Sequence, residues 1–293
     1  MDEISVEELI KKGVVLIDKP SGPTSYQIVE WVKNILGLKK TGHAGTLDPK
    51  VTGLMLIALE ESVKAMPVLM GLDKEYVGVM HLHKEVSREK LEKVCKEFIG
   101  KIIQKPPVRS AVARKPREKK IYSIEILEIE EKDALFKIKC EAGVYIRKLI
   151  HEIGGKIGGA HMIELRRIGI NGFSEKESKT LQDLKDAWFF YKEEGNEKYI
   201  REIIIPLEKV LERIGLKKIV IKASAIKTIR NGAPLGIGGV ISFNTEIKTG
   251  EKIGFFNKEG KIIALGIAKH DLDKIKRASK SLIIARPDRV FKI

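Results

Sequence analysis

Asp48 sits in the stretch TGHAGTLDPK, residues 41–50, among small, polar and turn-forming residues. An aspartate in such a setting has two readings. It is either an Asx-turn residue capping its own loop, or a carboxylate held out on a shaped mount as a nucleophile or base. Gly42 and Gly45 leave the backbone before it free to turn, and Pro49 stiffens the backbone behind it. The second reading needs company. Arg147 keeps its proton at any working pH, so it can hold a buried carboxylate ionised and oriented. Tyr76 offers an aromatic face on which a planar base drawn out of a strand can stack. Tyr145 reads equally as packing at a helix start and as a wall of the same pocket.

These groups have to be carried by regular elements. VVLID (14–18) is a short apolar run that ends in the turn-rich KPSGPTS, and Thr24 and Gln27 are spaced as a capping box. Ile28, Trp31, Val32, Ile35 and Leu36 then recur at helical spacing. LMLIALE and EYVGVMHLH read as strands, the latter with Tyr76 near its start. SREKLEKVCKEFIG reads as a helix with Ser87 as N-cap and Leu91, Val94, Cys95 and Phe98 on one face. IYSIEILEIE and ALFKIKCEAG are strand-like, and YIRKLIHEIGGKIGG is a helix with Arg147 in its first turn. GGKIGGA is read as a helix end and loop. This order of elements predicts an α+β domain with a mixed central sheet and flanking helices.

The chain changes character after PLEKVLERIGL (206–216). Short strands follow, KIVI, GVISF, KIGFFN, IIALGIA and RVFKI, with one helix, SAIKTIRNG, and a hairpin at FFNKEGKII. The predicted division is a short N-terminal extension (1–12), a main domain (13–212) and a small, basic, mostly β domain (213–293).

Composition narrows the function. The 293 residues are 43% hydrophobic and 32% charged, a globular mixture. No apolar run approaches the roughly 18 residues of a membrane span, and the acidic, amphipathic start resembles no targeting peptide, which points to the cytoplasm. Two isolated cysteines, Cys95 and Cys140, make neither a disulfide framework nor a zinc site. His81 and His83 point the same way on a strand, with no third ligand evident, so no metal is predicted. The net charge is +15 and it is concentrated in two zones. Residues 101–120 hold eight Lys/Arg against one acid, and residues 215–293 hold 17 against six. A heat-adapted surface would intersperse both signs, which KPPVRSAVARKPREKK hardly does, so the zones read as a footprint for nucleic acid. Arg109, Arg114, Lys115, Arg117, Lys119 and Lys120 in the first zone, and Arg230 and Gly232 in the second, are the candidate RNA contacts.

GHAGTLDPKVTGLM resembles the signature of the TruB-type pseudouridine synthases, with Asp48 at the nucleophile position. DKPSGPTS, with Lys19 and Pro20, is similar to the family's early lysine–proline motif. KEYVG resembles the segment with its base-stacking tyrosine, and GVYIRKL the segment with its arginine partner. Leu165 in HMIELRRIG matches the apolar residue of the pocket floor. KPPVRSAVARKPREKKIY, GAHMIELRR and the stretch from TLQDLKDAWFF to PLEKV resemble the archaeal and eukaryal dyskerin-type synthases of H/ACA ribonucleoproteins. The C-terminal region is similar to a PUA domain, a small mostly-β barrel.

The resemblance implies isomerisation of uridine to pseudouridine in rRNA, and in tRNA as a further substrate, directed by an H/ACA guide RNA with small accessory proteins. It implies no cofactor, since the reaction has no net redox or hydrolysis. It makes Asp48 nucleophile or elimination base, Arg147 its ion-pair partner and Tyr76 the stacking residue, with Tyr145, Leu165 and His43 around the pocket. Lys19, Pro20 and Gly45 support the motif, and 101–120 is a thumb-like mobile loop. Two other readings are a stand-alone tRNA synthase acting on the TΨC loop and a non-catalytic RNA-binding scaffold.

Overall fold

A computed structural model describes residues 4–106, 113, 115–243, 246–276 and 282–291. The main sheet is built, in chain order, from β1 (Gly13–Lys19), β2 (Thr41–His43), β3 (Thr52–Leu59), β4 (Lys74–Leu82), β5 (Gly100–Gln104), β6 (Arg117–Glu130), β7 (Asp133–Cys140), β8 (Ala160–Ile170), β9 (Phe173–Ser174) and β10 (Ile204–Pro206). Its order is β10-β1-β3-β8-β4-β7-β6-β5, with β2 on β3 and β9 on β8. All its pairings are antiparallel except β3 with β8.

The continuous apolar runs now have a cause. In β1, Val15 and Ile17 join one core while Val14 and Leu16 join the other; in β3, Met55, Ile57 and Leu59 face the first and Leu54, Leu56 and Ala58 the second. A strand covered on both faces has no polar side to alternate. The first core is closed by helices that include Ser25–Ile35, Arg88–Lys96, Ile146–Gly155 and Leu181–Glu194. The helix Val6–Lys11 lies in the segment expected as an extension, and it buries Val6, Leu9 and Ile10 in that same core.

The second core is shared with the C-terminal sheet. That sheet consists of β11 (Lys217–Ile221), β12 (Leu235–Gly236), β13 (Val240–Phe243), β14 (Lys252–Phe256), β15 (Ile262–Ala268) and β16 (Ile283–Val290), in the order β12-β16-β15-β14-β11-β13. Its edge strands β12 and β13 are joined by a single turn, Ile237–Gly239, so the sheet curls almost closed on itself. Phe256, Ile262, Leu265 and Phe291 pack with Val14, Leu16 and the helix Leu207–Arg213. Lys261 pairs with Glu8 at 3.0 Å, and the Ile262 N–H donates to Glu208 at 3.1 Å.

The helix caps follow the sequence signals: Thr24 and Gln27 form a complete capping box, and Ser87 accepts from the Lys90 N–H. Two expectations need correction. The last strand among the described residues, β16, starts earlier, at Ile283, and includes only Arg289 and Val290 of RVFKI, whose last two residues lie outside the described ones. More consequential, the segment after GGKIG, with no element assigned to it, forms β8, which lies between β3 and β4 near the middle of the sheet.

Candidate active site

Asp48 lies on the loop between β2 and β3, and the segment 19–25 holds that loop from behind. The capping box places Ser25 at the first helical position, where its hydroxyl donates to the Leu47 carbonyl and accepts from the Leu47 N–H, both at 2.8 Å. Gly22 donates its N–H to the Pro49 carbonyl at 2.9 Å. Lys19, fully buried, donates from Nζ to the carbonyls of Pro20 at 2.9 Å, Pro49 at 2.8 Å and Val51 at 2.8 Å. Burial lowers the Lys19 pKa, and the nearby Asp48 charge acts against that shift. A buried cation saturated by three carbonyls works as a structural pin.

The loop carries Asp48 outward. Its Oδ2 lies 3.0 Å from Arg147 Nη2, with the side chains 57% and 63% exposed respectively. The sequence suggested a buried carboxylate; the pair is at the surface, because Leu47 takes the inward position and Asp48 follows it out. Arg147 is aimed by the start of its helix. The Tyr145 N–H donates to Gln104 Oε1 at 2.9 Å, and Gln104 Nε2 donates to the Tyr145 carbonyl at 3.3 Å. Tyr145 is half-buried at this N-cap position.

Beneath the loop are two more cations that sequence reasoning missed. Arg167, 1% exposed, donates from Nε to the Leu54 carbonyl at 2.7 Å and from Nη2 to the Gly45 carbonyl at 3.1 Å. Gly45 has φ 126°, and a Cβ there would lie 3.3 Å from Arg167 Nη1, so a side chain is disfavoured on both counts. Along β8, Leu165 and Arg167 face one side and Arg166 the other, where it forms a two-pronged pair with Asp18 at 3.0 Å on each arm. Arg167 stands opposite Tyr76 in the β4–β8 ladder, and its guanidinium meets the buried Tyr76 hydroxyl. Burial raises the Tyr76 pKa, with Arg167 opposing. Lys74, two residues earlier on the same face, donates to the Met70 carbonyl at 3.0 Å; burial and the Arg167 charge push it down to about 8. The same two causes lower the pKa of the half-buried His43. Reading 160–170 as a strand would have found Arg167, two positions beyond Leu165, and the strand period would have found Lys74.

Residues 33–146 match the TruB family pseudouridylate synthase N-terminal domain, 147–212 the tRNA pseudouridylate synthase B C-terminal domain, and 217–290 the PUA domain. The chain is 48% identical over 287 residues to a probable tRNA pseudouridine synthase B of Nanoarchaeum equitans, across 98% of this chain and 81% of that one. The chain belongs to the TruB family of pseudouridine synthases.

The Pyrococcus abyssi probable tRNA pseudouridine synthase B is 46% identical over 97% of this TruB-family chain and 85% of its own. Among solved structures, a Cbf5–Nop10–Gar1 complex contains a chain 44% identical, with TM-score 0.92 over 99% of this chain and 88% of that chain. An H/ACA ribonucleoprotein bound to a substrate RNA containing 2′-deoxyuridine has one 41% identical, with TM-score 0.89 over 100% and 89%. The C-terminal sheet is the PUA domain of this TruB-family chain. Among the described residues, no helix is long and apolar enough to cross a membrane.

The basic zones of this TruB-family chain divide further. The two ends of the expected loop 101–120 form a β5–β6 ladder, running from Gly100 opposite Ile121 to Gln104 opposite Arg117. Arg109 and Arg114 lie outside the described residues. Lys115, Arg117 and Lys120 are exposed, whereas Lys119 is tied to Glu141 at 2.9 Å. In the PUA domain, Arg230 lines a groove of about 540 Å³ with Ala223, Ile226, Lys227, Asn231 and Asn257, and exposed Gly232 follows just beyond the helix.

Proposed function

We propose that this chain isomerises uridine to pseudouridine in RNA as the catalytic subunit of an H/ACA ribonucleoprotein, with the target chosen by pairing to a guide RNA. The observation that carries this is the Asp48–Arg147 pair at 3.0 Å, on a loop pinned from behind and open in front. Arg147 orients the carboxylate while it is exposed. Once RNA covers the pair, their attraction strengthens because water leaves. Asp48 then serves the reaction as nucleophile or as base. The bond from the ribose anomeric carbon to N1 of uracil breaks, a bond to C5 forms, and the proton lost from C5 is balanced by one gained at N1, so atoms balance without an external oxidant or hydrolytic water. Tyr76 stacks on the flipped base, Leu165 and Tyr145 wall the pocket, and His43 lies at its edge. Lys19 and Arg167 hold the mount.

In this reading residues 13–212 do the chemistry. The PUA domain, 213–293, grips the guide through the Arg230 groove and Gly232. The exposed cations of the β5–β6 arm meet substrate RNA in the cytoplasm. Small accessory proteins complete the particle, as the names in the related Cbf5–Nop10–Gar1 complex suggest. A second reading, stand-alone action on tRNA, is favoured by the names of the curated relatives.

Assaying pseudouridine on a guide–target pair and on unmodified tRNA, with and without accessory proteins, separates the two. Turnover on the pair that requires the guide supports the first reading. Turnover confined to tRNA and indifferent to a guide overturns it. RNA affinity should also fall steeply between low and moderate salt as counterions are released.

A further inference from the structure

At the end of the main sheet where β4 finishes and β8 begins, three histidines and an aspartate meet. His81 and His83 are two apart on one chain segment and so share a face. His161 of β8 is directly opposite His81 on one side, and Asp133 of β7 directly opposite on the other. The backbone register, rather than a choice of rotamers, brings the four together. His83 continues the ladder through its N–H to the Gly159 carbonyl, at 2.9 Å. A Cβ at Gly159 would lie 2.3 Å from His83 Nδ1, so the glycine opens the space into which the His83 ring leans toward His161.

We propose that His81, His83 and His161 form a binding site for a divalent transition-metal ion of the zinc class, with Asp133 as the carboxylate that orients His81. Three imidazoles around a tetrahedral ion at about 2.0–2.1 Å hold donor nitrogens roughly 3.3 Å apart and ring centres roughly 5 Å apart. Here His83 Nε2 and His161 Nδ1 are 3.0 Å apart, and the ring centres are separated by 5.3, 5.4 and 6.4 Å. His81 Nδ1 is bonded to Asp133 Oδ1 at 2.6 Å. The two nitrogens of an imidazole point in nearly opposite directions, so anchoring Nδ1 toward β7 turns Nε2 toward β8 and the other two rings. Metal-bound histidines commonly carry a carboxylate on their far nitrogen. Among the described residues no group of three donors is arranged to hold an ion as they stand, so the proposed site requires the His81 ring to turn toward the other two when the ion binds. His83 and His161 are exposed, which leaves the fourth position to water. The site lies apart from the Asp48 loop, on the opposite end of β4 from Tyr76.

The test uses the full chain, produced without a histidine tag and stripped of metal, titrated with Zn²⁺ alone. The expected result is one equivalent bound at micromolar or tighter affinity, with a zinc absorption edge showing three imidazole nitrogens. His161→Ala and His83→Gln should each weaken binding at least about 100-fold, and Asp133→Asn about 10-fold. His270→Ala should leave binding unchanged. Because these side chains are exposed or half-exposed, the variants should melt near the wild type in the absence of metal, which checks folding. No saturable binding, oxygen-only ligation, or an affinity indifferent to His161→Ala overturns the proposal.

Discussion

The exposed Asp48–Arg147 pair and the buried cations beneath its loop are built on opposite terms. Asp48 and Arg147 are a single contact in water, more than half exposed, and a pair of that kind adds only about 0–1 kcal/mol to stability. Lys19, Lys74 and Arg167 are nearly inaccessible and, among the described residues, carry no carboxylate partner at hydrogen-bond distance; backbone carbonyls of the motif loop and its surroundings bond Lys19 and Arg167, and those at the end of the preceding helix bond Lys74. The contrast teaches that, in the proposed reaction, Asp48 and Arg147 can stay free to meet a nucleotide because positional accuracy is supplied from below. Desolvated cations are costly, and they persist here because each fixes several segments at once.

The widest break in that contrast should come from Asp48→Asn. It should lower pseudouridine formation by on the order of 10⁴-fold, change unfolding free energy by no more than about 0.5 kcal/mol, and shift RNA affinity only a few-fold. Single-turnover assays beside denaturant unfolding check it; retained turnover removes Asp48 from the chemistry.

Arg167→Met should show the reverse balance. It leaves the Leu54 and Gly45 carbonyls without their donor and should destabilise the fold by about 3 kcal/mol, with turnover falling as the loop loosens. Unchanged stability would mean that the buried arginine is not what holds the mount.

Lys74 sharpens the comparison through pH. Its folded pKa is about 8, below the ordinary 10.5, so between those values the unfolded chain binds a proton that the folded chain does not. Stability should therefore rise with pH from about 8 to about 10.5, by at most about 3 kcal/mol from this group. In Lys74→Met that component of the slope should vanish, as urea unfolding across the window would reveal. The smallest effect is expected from Ser25→Ala, about 1 kcal/mol with a few-fold loss in turnover, since only the two Leu47 contacts are lost.

What could be read along the chain was set by near neighbours. The Thr24 box, the Ser87 cap and the alternation of β7 each depend on residues within a turn or a strand, and all three appear in the fold. The strand β8 is hard to read along the chain because the glycines of GGKIGGA mask its start and its ELRR core mixes charge with apolar residues. Missing it hid Arg167, whose burial makes sense only against the β3 backbone that it bonds.

By itself, then, the sequence determined which side chains are chemically able to act: a carboxylate in a Gly/Pro loop, a permanent cation at a helix start, an aromatic on a strand, and two basic zones for a polyanion. The tertiary structure alone decided that Asp48 meets Arg147 in the open, that Lys19 and Arg167 fasten the loop between them, and that His161 comes to lie beside His81. Those meetings join residues far apart in the chain. They follow from strand order and register, which the burial of two apolar faces selects and no local pattern encodes.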